Sequence, residues 1–226
     1  MSIPEILQRY VRMARVAGTE VEILGTDDLP GRLASLLTGS SNGSCRTADF
    51  KPCPTERPGA SHVRVAAIPI SGWPERLLRT IKEVVESVGY EIVTQKELSG
   101  KLTWNRILLE KASIGITFCP AFLADTGSIL MPSGSGMGSL AGLLPEVHLA
   151  LSYAEGCRGS LGDYIQEKRL SLPSRLTLVT GPSRTGDIEG TMTTGVHGPG
   201  KVLHFILQSN TLDPTFKRGK SAALWP

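Results

Sequence analysis

The stretch HVRVAAIPISGWPERLLRTIKEVVESVGYEIVT, residues 62–94, decides the fold class that we predict for this chain. Its first part is a run of β-branched and small apolar residues, which is typical of a buried strand. Pro74 then opens a helix, and Gly89 stands where a left-handed cap would end it. The helix carries a continuous apolar stripe of Leu77, Leu78, Ile81, Val84, Val85 and Val88. Residues 90–94 return as a strand, so the order indicates a mostly parallel α/β sheet.

Further strands are predicted downstream at residues 112–119, 147–152, 176–180 and 202–207. A helix is predicted from Ser99, carrying Trp104, and a capping box at Ser160 and Asp163 predicts another. Residues 120–133 leave no room for a crossover helix, so a tight turn at Asp125, Thr126 and Gly127 should join two strands there.

The N-terminal part, residues 1–61, reads as a small helix–strand–helix extension followed by a linker. Residues 38–61 are dense in Gly, Ser and Pro without an apolar period, which is unusual for a connection inside a compact domain. A functional lid would have the same composition. We therefore predict two parts, an extension with a linker at 1–61 and an α/β domain at 62–226.

Composition excludes several classes of function. The 226 residues carry 24 basic and 21 acidic side chains, a net charge of +3, and the basic residues are scattered. Nucleic acid is therefore not expected as a partner. The charged N-terminus lacks the apolar core of a signal peptide, and no apolar run reaches the roughly 20 residues of a membrane span. These features predict a cytoplasmic protein with no membrane span.

The cysteine pattern predicts no metal site and no bound cofactor. Cys45, Cys53, Cys119 and Cys157 form no Cys-x-x-Cys pair and have no clustered histidines, so neither zinc nor an iron–sulfur cluster is indicated. In a reducing compartment they are expected to be free thiols.

A polar loop follows the strand at 176–180 and is the leading candidate for a binding site. Gly181 and Pro182 stop the strand, and Ser183, Arg184 and Thr185 then supply two hydroxyls and a guanidinium just before a helix expected to start at Asp187. Such donors suit a small anion. In open α/β sheets ligands lie beyond the carboxyl ends of the strands, where this loop is expected. The alternative is a tight strand-to-helix turn whose hydroxyls cap the helix.

Other candidates are weaker. A glycine-rich run at residues 133–138 could cradle phosphates but matches no strict nucleotide motif, so the pattern favours a plain loop. His148 and His197 could act as acid, base or ligand, or could be structural. Asp187 and Glu189, with Asp125, could form an acid–base pair, although Asp187 could equally cap a helix. No Gly-x-Ser-x-Gly elbow is present.

Four segments together resemble the lactate-utilization protein C family, the LUD domain. They are ADTGSI at 124–129, LPEVH at 144–148, TGPSRTGDIE at 180–189 and GVHGP at 195–199. Members of that family commonly have Ala at the position of Gly186 and Glu at that of Asp125.

The resemblance implies a three-layer α/β sandwich similar to the NagB/RpiA/CoA-transferase-like fold. It also implies a protein that works with iron–sulfur subunits of a lactate oxidation complex, which converts lactate to pyruvate. The leading hypothesis is therefore an accessory or regulatory component of a lactate-oxidising system that binds a small anionic ligand. Its expected ligand-binding residues are Gly181, Ser183, Arg184, Thr185, Asp125, Thr126 and Gly127. The alternatives are a stand-alone enzyme for a thioester, CoA or sugar-phosphate substrate, and a non-catalytic scaffold.

Overall fold

The computed structural model describes residues 4–39, 64–69, 72–98, 101–103, 111–133, 139–169, 172–186, 192–194 and 198–208. The α-helices in these residues are α1 (Glu5–Val16), α2 (Leu29–Thr38), α3 (Glu75–Ser87) and α4 (Leu161–Glu167). None of them is both long and apolar enough to cross a membrane.

Six parallel strands form the central sheet, in the order β1-β14-β9-β6-β2-β3. They are β1 (Glu20–Gly25), β2 (Arg64–Ala67), β3 (Tyr90–Val93), β6 (Ile114–Phe118), β9 (Val147–Tyr153) and β14 (Lys201–Gln208). The mostly parallel α/β sheet predicted from residues 62–94 is confirmed.

A second sheet of four strands has the order β10-β7-β8-β11. Its members are β7 (Ala121–Leu123), β8 (Ser128–Ser133), β10 (Cys157–Arg158) and β11 (Arg175–Val179). Two further ladders pair β4 (Lys96–Leu98) with β5 (Lys101–Thr103), and β12 (Arg184–Gly186) with β13 (Met192–Thr194).

Helices α2 and α3 cover one face of the central sheet. The apolar stripe of α3 points into a core that it shares with the leucines of α2, and strand residues such as Leu149 and Phe205 complete this core. A 3.6-residue apolar period on a helix places all its large side chains on one side, so α3 is amphipathic and packs flat on the sheet.

The opposite face of the central sheet is covered by α1 and the second sheet. Leu7, Tyr10 and Ala14 of α1 pack with Phe122 and Ile206, while residues of β8 and β11 pack over the middle of β9. Helix α4 lies on the outer side of the second sheet, where Tyr164 joins the apolar side chains of β7 and β8. The capping box predicted at its start is present. The candidate site lies on this face of the central sheet, between α1 and the second sheet.

The predicted division into an extension at 1–61 and a domain at 62–226 does not describe how these elements pack. Strand β1 pairs with β14 over six register positions, and the leucines of α2 belong to the main core. Arg32 of α2 also makes a two-point ion pair with Glu22 of β1. The helix–strand–helix order was predicted, but these elements complete the central sheet. Residues 40–61 of the predicted linker lie outside the described residues.

One helix prediction is wrong within the described residues. Residues 101–103, expected in the helix from Ser99, form β5 of a hairpin with β4. There a backbone partner a few residues away competes with the local helix signal, which single-residue propensities do not report. The start of the helix predicted at Asp187 lies outside the described residues, and residues 184–186 just before it form β12 and pair antiparallel with β13.

Candidate functional site

The predicted turn between β7 and β8 is present and packs directly on α1. Gly127 has φ +70° and its N–H donates to the Leu123 carbonyl, which closes the turn. A Cβ built at Gly127 would lie 2.3 Å from the Ala14 backbone nitrogen. Only glycine combines a positive φ with such a close approach, so this residue holds the turn against the last turns of the helix.

The loop after β11 reaches the end of the same helix. Gly181 has φ +79°, and a Cβ there would lie 1.9 Å from the Ala17 carbonyl oxygen. The Arg184 guanidinium lies against Gly18, since a Cβ on Gly18 would meet its Nη2 at 2.9 Å. The Ser183 N–H donates to the Pro199 carbonyl, so residues 198–199 border the loop as well.

The position of this loop corrects the prediction that it lies beyond the carboxyl ends of the sheet. Strand β11 belongs to the second sheet, where it runs antiparallel to β8. Its end therefore meets Gly18, just before β1 begins, at the amino edge of the central sheet. The rule for ligand crevices of open parallel sheets does not apply to a strand outside the parallel sheet.

A chain of three hydroxyls joins the two loops. The Ser128 hydroxyl donates to Thr126 Oγ1 at 2.7 Å and lies 2.7 Å from Thr180 Oγ1. Because the single proton of Ser128 goes to Thr126, Thr180 is the donor to Ser128. The proton of exposed Thr126 then has no acceptor among the described residues and is free for a ligand.

Asp125 places an unsatisfied carboxylate oxygen at the same turn. Its N–H donates to the Gly159 carbonyl, but its Oδ1 is shielded from solvent and has no hydrogen-bond partner in the described part of the chain. Buried polar atoms are nearly always paired, and an exception needs a cause such as a missing ligand or water. Thr19 Oγ1, at the end of the α1–β1 turn, is a second such atom.

Arg184 is exposed, and no carboxylate within the described ranges pairs with its guanidinium. It lies beside the carboxyl end of α1, where a positive charge also stabilises the helix dipole. A guanidinium with free N–H groups can bind a carboxylate or phosphate through two parallel hydrogen bonds.

The predicted site residues fall into three groups. Asp125, Thr126 and Gly127 are brought together with Gly181, Ser183 and Arg184 around the end of α1, and we name this set of six the loop cluster. Thr185 follows in β12. Asp187, Glu189 and His197 lie outside the described residues, as does the glycine-rich run at 134–138.

His148 lies apart from the loop cluster, on β9 in a buried polar group that the sequence did not predict. Around Ala150, register places Thr117 and His204 on the two neighbouring strands, and His148 and Ser152 stand two residues before and after it. All four polar side chains are buried. Alternation along each strand puts them on one face, towards α1 and the second sheet.

One hydrogen-bond chain in this group fixes a tautomer. The Ser152 hydroxyl donates to the Cys119 carbonyl at 2.6 Å, so its oxygen must accept from Nε2–H of His204 at 2.9 Å. His204 Nδ1 therefore accepts from the Tyr10 hydroxyl at 2.6 Å. Burial lowers the pKa of His204 to about 3, with a further contribution from His148. This imidazole is neutral and structural.

His148 is also neutral, but only one of its two ring nitrogens has a hydrogen-bond partner among the described residues. Its Nε2 lies 2.8 Å from Thr117 Oγ1, whereas Nδ1 is buried without a partner among the described residues. Burial lowers the pKa of His148 to about 4. A Cβ on Gly142 would lie 2.9 Å from its Nε2, so the 3₁₀ turn Ser139–Gly142 covers the ring.

The two described cysteines are weak nucleophiles. Burial raises the pKa of Cys119 to about 12 and that of Cys157 to about 11, so both are thiols at neutral pH. Within the residues that the structure describes, no three His, Cys, Asp or Glu side chains group as a metal site.

Comparison with known proteins finds relatives for most of the chain. The profile of the LUD domain family matches residues 7–207. Two proteins named lactate utilization protein C, from Geobacillus sp. (strain WCH70) and Bacillus subtilis (strain 168), are 35% and 32% identical to it over 104 residues. Each match spans 43% of this chain and 43% of the relative, so less than half of either protein is compared. The solved structure of a DUF162 family protein from Deinococcus radiodurans superposes with a TM-score of 0.58 at 19% identity. It covers 92% of this chain and 99% of that one.

Proposed function

The chain belongs to the LUD domain family, and from this premise we propose that it is an accessory or regulatory component of a lactate-utilising system. In this role it binds a small 2-hydroxy carboxylate at the loop cluster. The observation that carries the proposal is the convergence of two loops, 125–127 and 180–184, on the end of α1, where they leave complementary polar groups unpaired.

The unpaired groups match the chemistry of lactate. The Arg184 guanidinium can bind the carboxylate through two hydrogen bonds, and the free proton of Thr126 supplies a third donor. The Asp125 carboxylate, whose Oδ1 has no partner among the described residues, is the group proposed to accept from the 2-hydroxyl of lactate. Pyruvate has the same carboxylate but carries a carbonyl oxygen in place of that hydroxyl, so it cannot donate to Asp125. The site is therefore expected to prefer the reduced acid.

The names of the relatives support the pathway. Proteins that match this chain are called lactate utilization protein C. Oxidation of lactate to pyruvate releases two electrons, and none of the described loop-cluster residues is a redox group. We propose that iron–sulfur subunits of a lactate oxidation complex are the partners that accept these electrons.

A role as a thiol-dependent enzyme for thioesters receives less support from the residues that the structure describes. Cys119 and Cys157 both have raised pKa values, and His148 is enclosed in the core. A nucleophile must reach its substrate and be activated by a neighbouring base.

Isothermal titration calorimetry tests the binding proposal. The purified chain is titrated with L-lactate, D-lactate, pyruvate, nucleotides, coenzyme A and sugar phosphates, and the titrations are repeated with Arg184→Ala. The matched control is Arg79→Ala, which removes an exposed arginine from α3 on the other face of the central sheet. Loss of lactate binding in the first variant alone supports the site. Lactate binding that ignores Arg184, or no binding of any 2-hydroxy acid, contradicts it.

The partner proposal needs a separate test. The tagged protein is recovered from cells grown on lactate, and co-purifying proteins are examined for iron and acid-labile sulfide. Recovery of an iron–sulfur protein from lactate-grown but not glucose-grown cells is expected. If no iron–sulfur protein co-purifies under mild lysis, the partner proposal is contradicted. The binding proposal, which calorimetry tests, is not affected by that result.

A further inference from the structure

Strand β11 ends the second sheet with one long side unpaired. It bonds to β8 on one side and has no second strand beside it within the described ranges. An open edge of this kind is a template for another strand.

The other three edges of the two large sheets carry charges. Strand β1 has the ion pair of Glu22 with Arg32, β3 exposes Glu91, and β10 has the pair of Arg158 with Glu167. Charged side chains at an edge discourage pairing with another chain. Strand β11 has a single charge, on its first residue, Arg175, and the four residues that follow are Leu-Thr-Leu-Val. This edge lacks the protection of the others.

The direction of the free backbone groups follows from the register of the ladder. Leu176 is paired with Pro132, which has no N–H to donate. The carbonyl of Ser133, the next residue, faces β11, because it accepts from the Ser174 hydroxyl at 3.2 Å. Backbone groups alternate between the two sides along a strand. Arg175, Thr177 and Val179 therefore bond to β8. The N–H and C=O of Leu176 and Leu178 point to the open edge.

This edge is complementary to itself. Suppose that two copies meet antiparallel about a two-fold axis at Thr177. Leu176 of each copy then stands opposite Leu178 of the other, which gives two symmetry-related pairs. Each pair can exchange two backbone hydrogen bonds, as the hydrogen-bonded pairs of an antiparallel ladder do. A contact in which the same patch serves both subunits is the commonest form of homodimer.

The side chains around the edge also favour a partner. Leu178 is 41% exposed on the outer face of the sheet, the face on which α4 packs. Ile165 of α4 is also 41% exposed, and Leu172, shortly before β11, is 51% exposed. Covering these side chains with the same residues of a second copy removes apolar surface from water.

We propose that a second copy of this chain docks on β11, so that the two four-stranded sheets join edge to edge into one sheet of eight strands. The shared element is a single strand with a few leucines, which makes a small interface of the weak class. Association is expected with a dissociation constant on the order of tens of micromolar. Gly181 of the loop cluster stands two residues after the end of β11, so each site lies next to the dimer contact.

Sedimentation equilibrium over a range of concentrations tests association. The mass should rise from 24.2 kDa towards twice that value. The Leu178→Pro variant removes one free N–H at the open edge without touching the hydrogen bonds to β8, and it should raise the dissociation constant about tenfold or more. The matched control, Leu178→Thr, shortens the same side chain but keeps the N–H, and it should still dimerise. A mass fixed at 24.2 kDa for the wild type, or a dimer unaffected by Leu178→Pro, overturns the proposal.

Cross-linking decides the geometry even if the proline variant fails to fold. At the two-fold axis the two Thr177 residues form a non-hydrogen-bonded antiparallel pair. Their Cα atoms are then about 4.5 Å apart, which is within disulfide range. Mild oxidation should therefore link Thr177→Cys into a covalent dimer. Arg175→Cys should not link, because its opposite residue in this register is Val179. The wild type, with its four native cysteines, gives the background. Equal linking of both variants, or of neither, overturns this register.

Discussion

The Tyr10 hydroxyl donates a hydrogen bond of 2.6 Å to Nδ1 of His204, although the two residues are 194 positions apart in the chain. The bond ties the first helix to the last strand of the central sheet. Both side chains are fully buried, and both pack edge-on against Phe122 of the second sheet. Three layers of the molecule therefore meet at this contact.

Replacing Tyr10 with Phe should lower the free energy of unfolding by about 1–3 kcal/mol, since the buried His204 nitrogen loses this donor. Urea denaturation measures the change. Tyr164→Phe is the control, because Tyr164 is equally buried but its hydroxyl has no hydrogen bond among the described residues. Similar losses in both variants would show that the hydroxyl of Tyr10 contributes through packing alone.

Stability should fall steeply in mild acid. The pKa values of His148 and His204 are lowered from 6.5 to about 4 and about 3, so the unfolded chain binds their protons at a higher pH than the folded protein. Their contribution is complete above pH 6.5 and is lost as pH falls towards these folded values. Each histidine adds a slope of about 1.4 kcal/mol per pH unit inside its window. In His148→Gln the slope measured between pH 6 and pH 4.5 should decrease by about that amount. An unchanged slope would mean that His148 titrates normally.

Gly181→Ala should destabilise the fold by more than about 2 kcal/mol, because alanine must adopt a left-handed backbone while its Cβ meets the Ala17 carbonyl. The control Gly31→Ala lies in α2 with no atom within 4 Å of the new Cβ. It should stabilise the protein by up to about 1 kcal/mol, since alanine loses less backbone entropy than glycine in a helix. Thermal unfolding distinguishes the two. A neutral Gly181→Ala would show that the loop can leave α1 without cost.

Arg184→Ala should weaken lactate binding tenfold to a hundredfold, which corresponds to a charge-assisted contact of about 1.5–3 kcal/mol. The free energy of unfolding should change by less than about 1 kcal/mol, since the guanidinium is exposed and its contact with the helix end is screened by solvent. Arg184→Lys should recover only part of the affinity, because an ammonium cannot form the planar two-point contact. Full recovery by lysine would reduce the role of Arg184 to its charge.

Asp125→Asn should change selectivity more than stability. The amide can donate to the carbonyl oxygen of pyruvate, which the carboxylate cannot do. We therefore expect the ratio of lactate affinity to pyruvate affinity to fall by about tenfold, as for one hydrogen bond to a charged group. Competition calorimetry with both acids measures this ratio. A ratio that stays constant would remove Asp125 from hydroxyl recognition.

The elements set by local pattern were predictable. The stripe of α3, the turn at Asp125–Gly127 and the cap at Ser160 each depend on residues within a few positions of one another, and each is present. What the pattern does not report is which sheet a strand joins. Strand β11 reads like any buried strand, but its antiparallel partner β8 lies some 45 positions away and is selected by packing.

The candidate site was predictable in its residue types and not in its place. The two loops were identified from their hydroxyls, glycines and arginine, because those chemistries are visible in sequence. The surface that receives them was not, since Ala14, Ala17 and Gly18 have no polar side chains and act through backbone contact. The group around Ala150 was missed for a similar reason, because isolated Thr, Ser and His residues on three strands have no common local signal.

The pairing of β1 with β14 also bears on how the protein is made on the ribosome. Strand β1 has β14 as its sheet neighbour, so α1 and β1, which are synthesised before β14, are fixed in place only once residues 201–208 are available. The end of α1 is the floor of the loop cluster. A nascent chain that stops short of β14 therefore has both loops but no fixed surface on which to assemble them, and we expect the proposed ligand binding only after residues 201–208 have been synthesised.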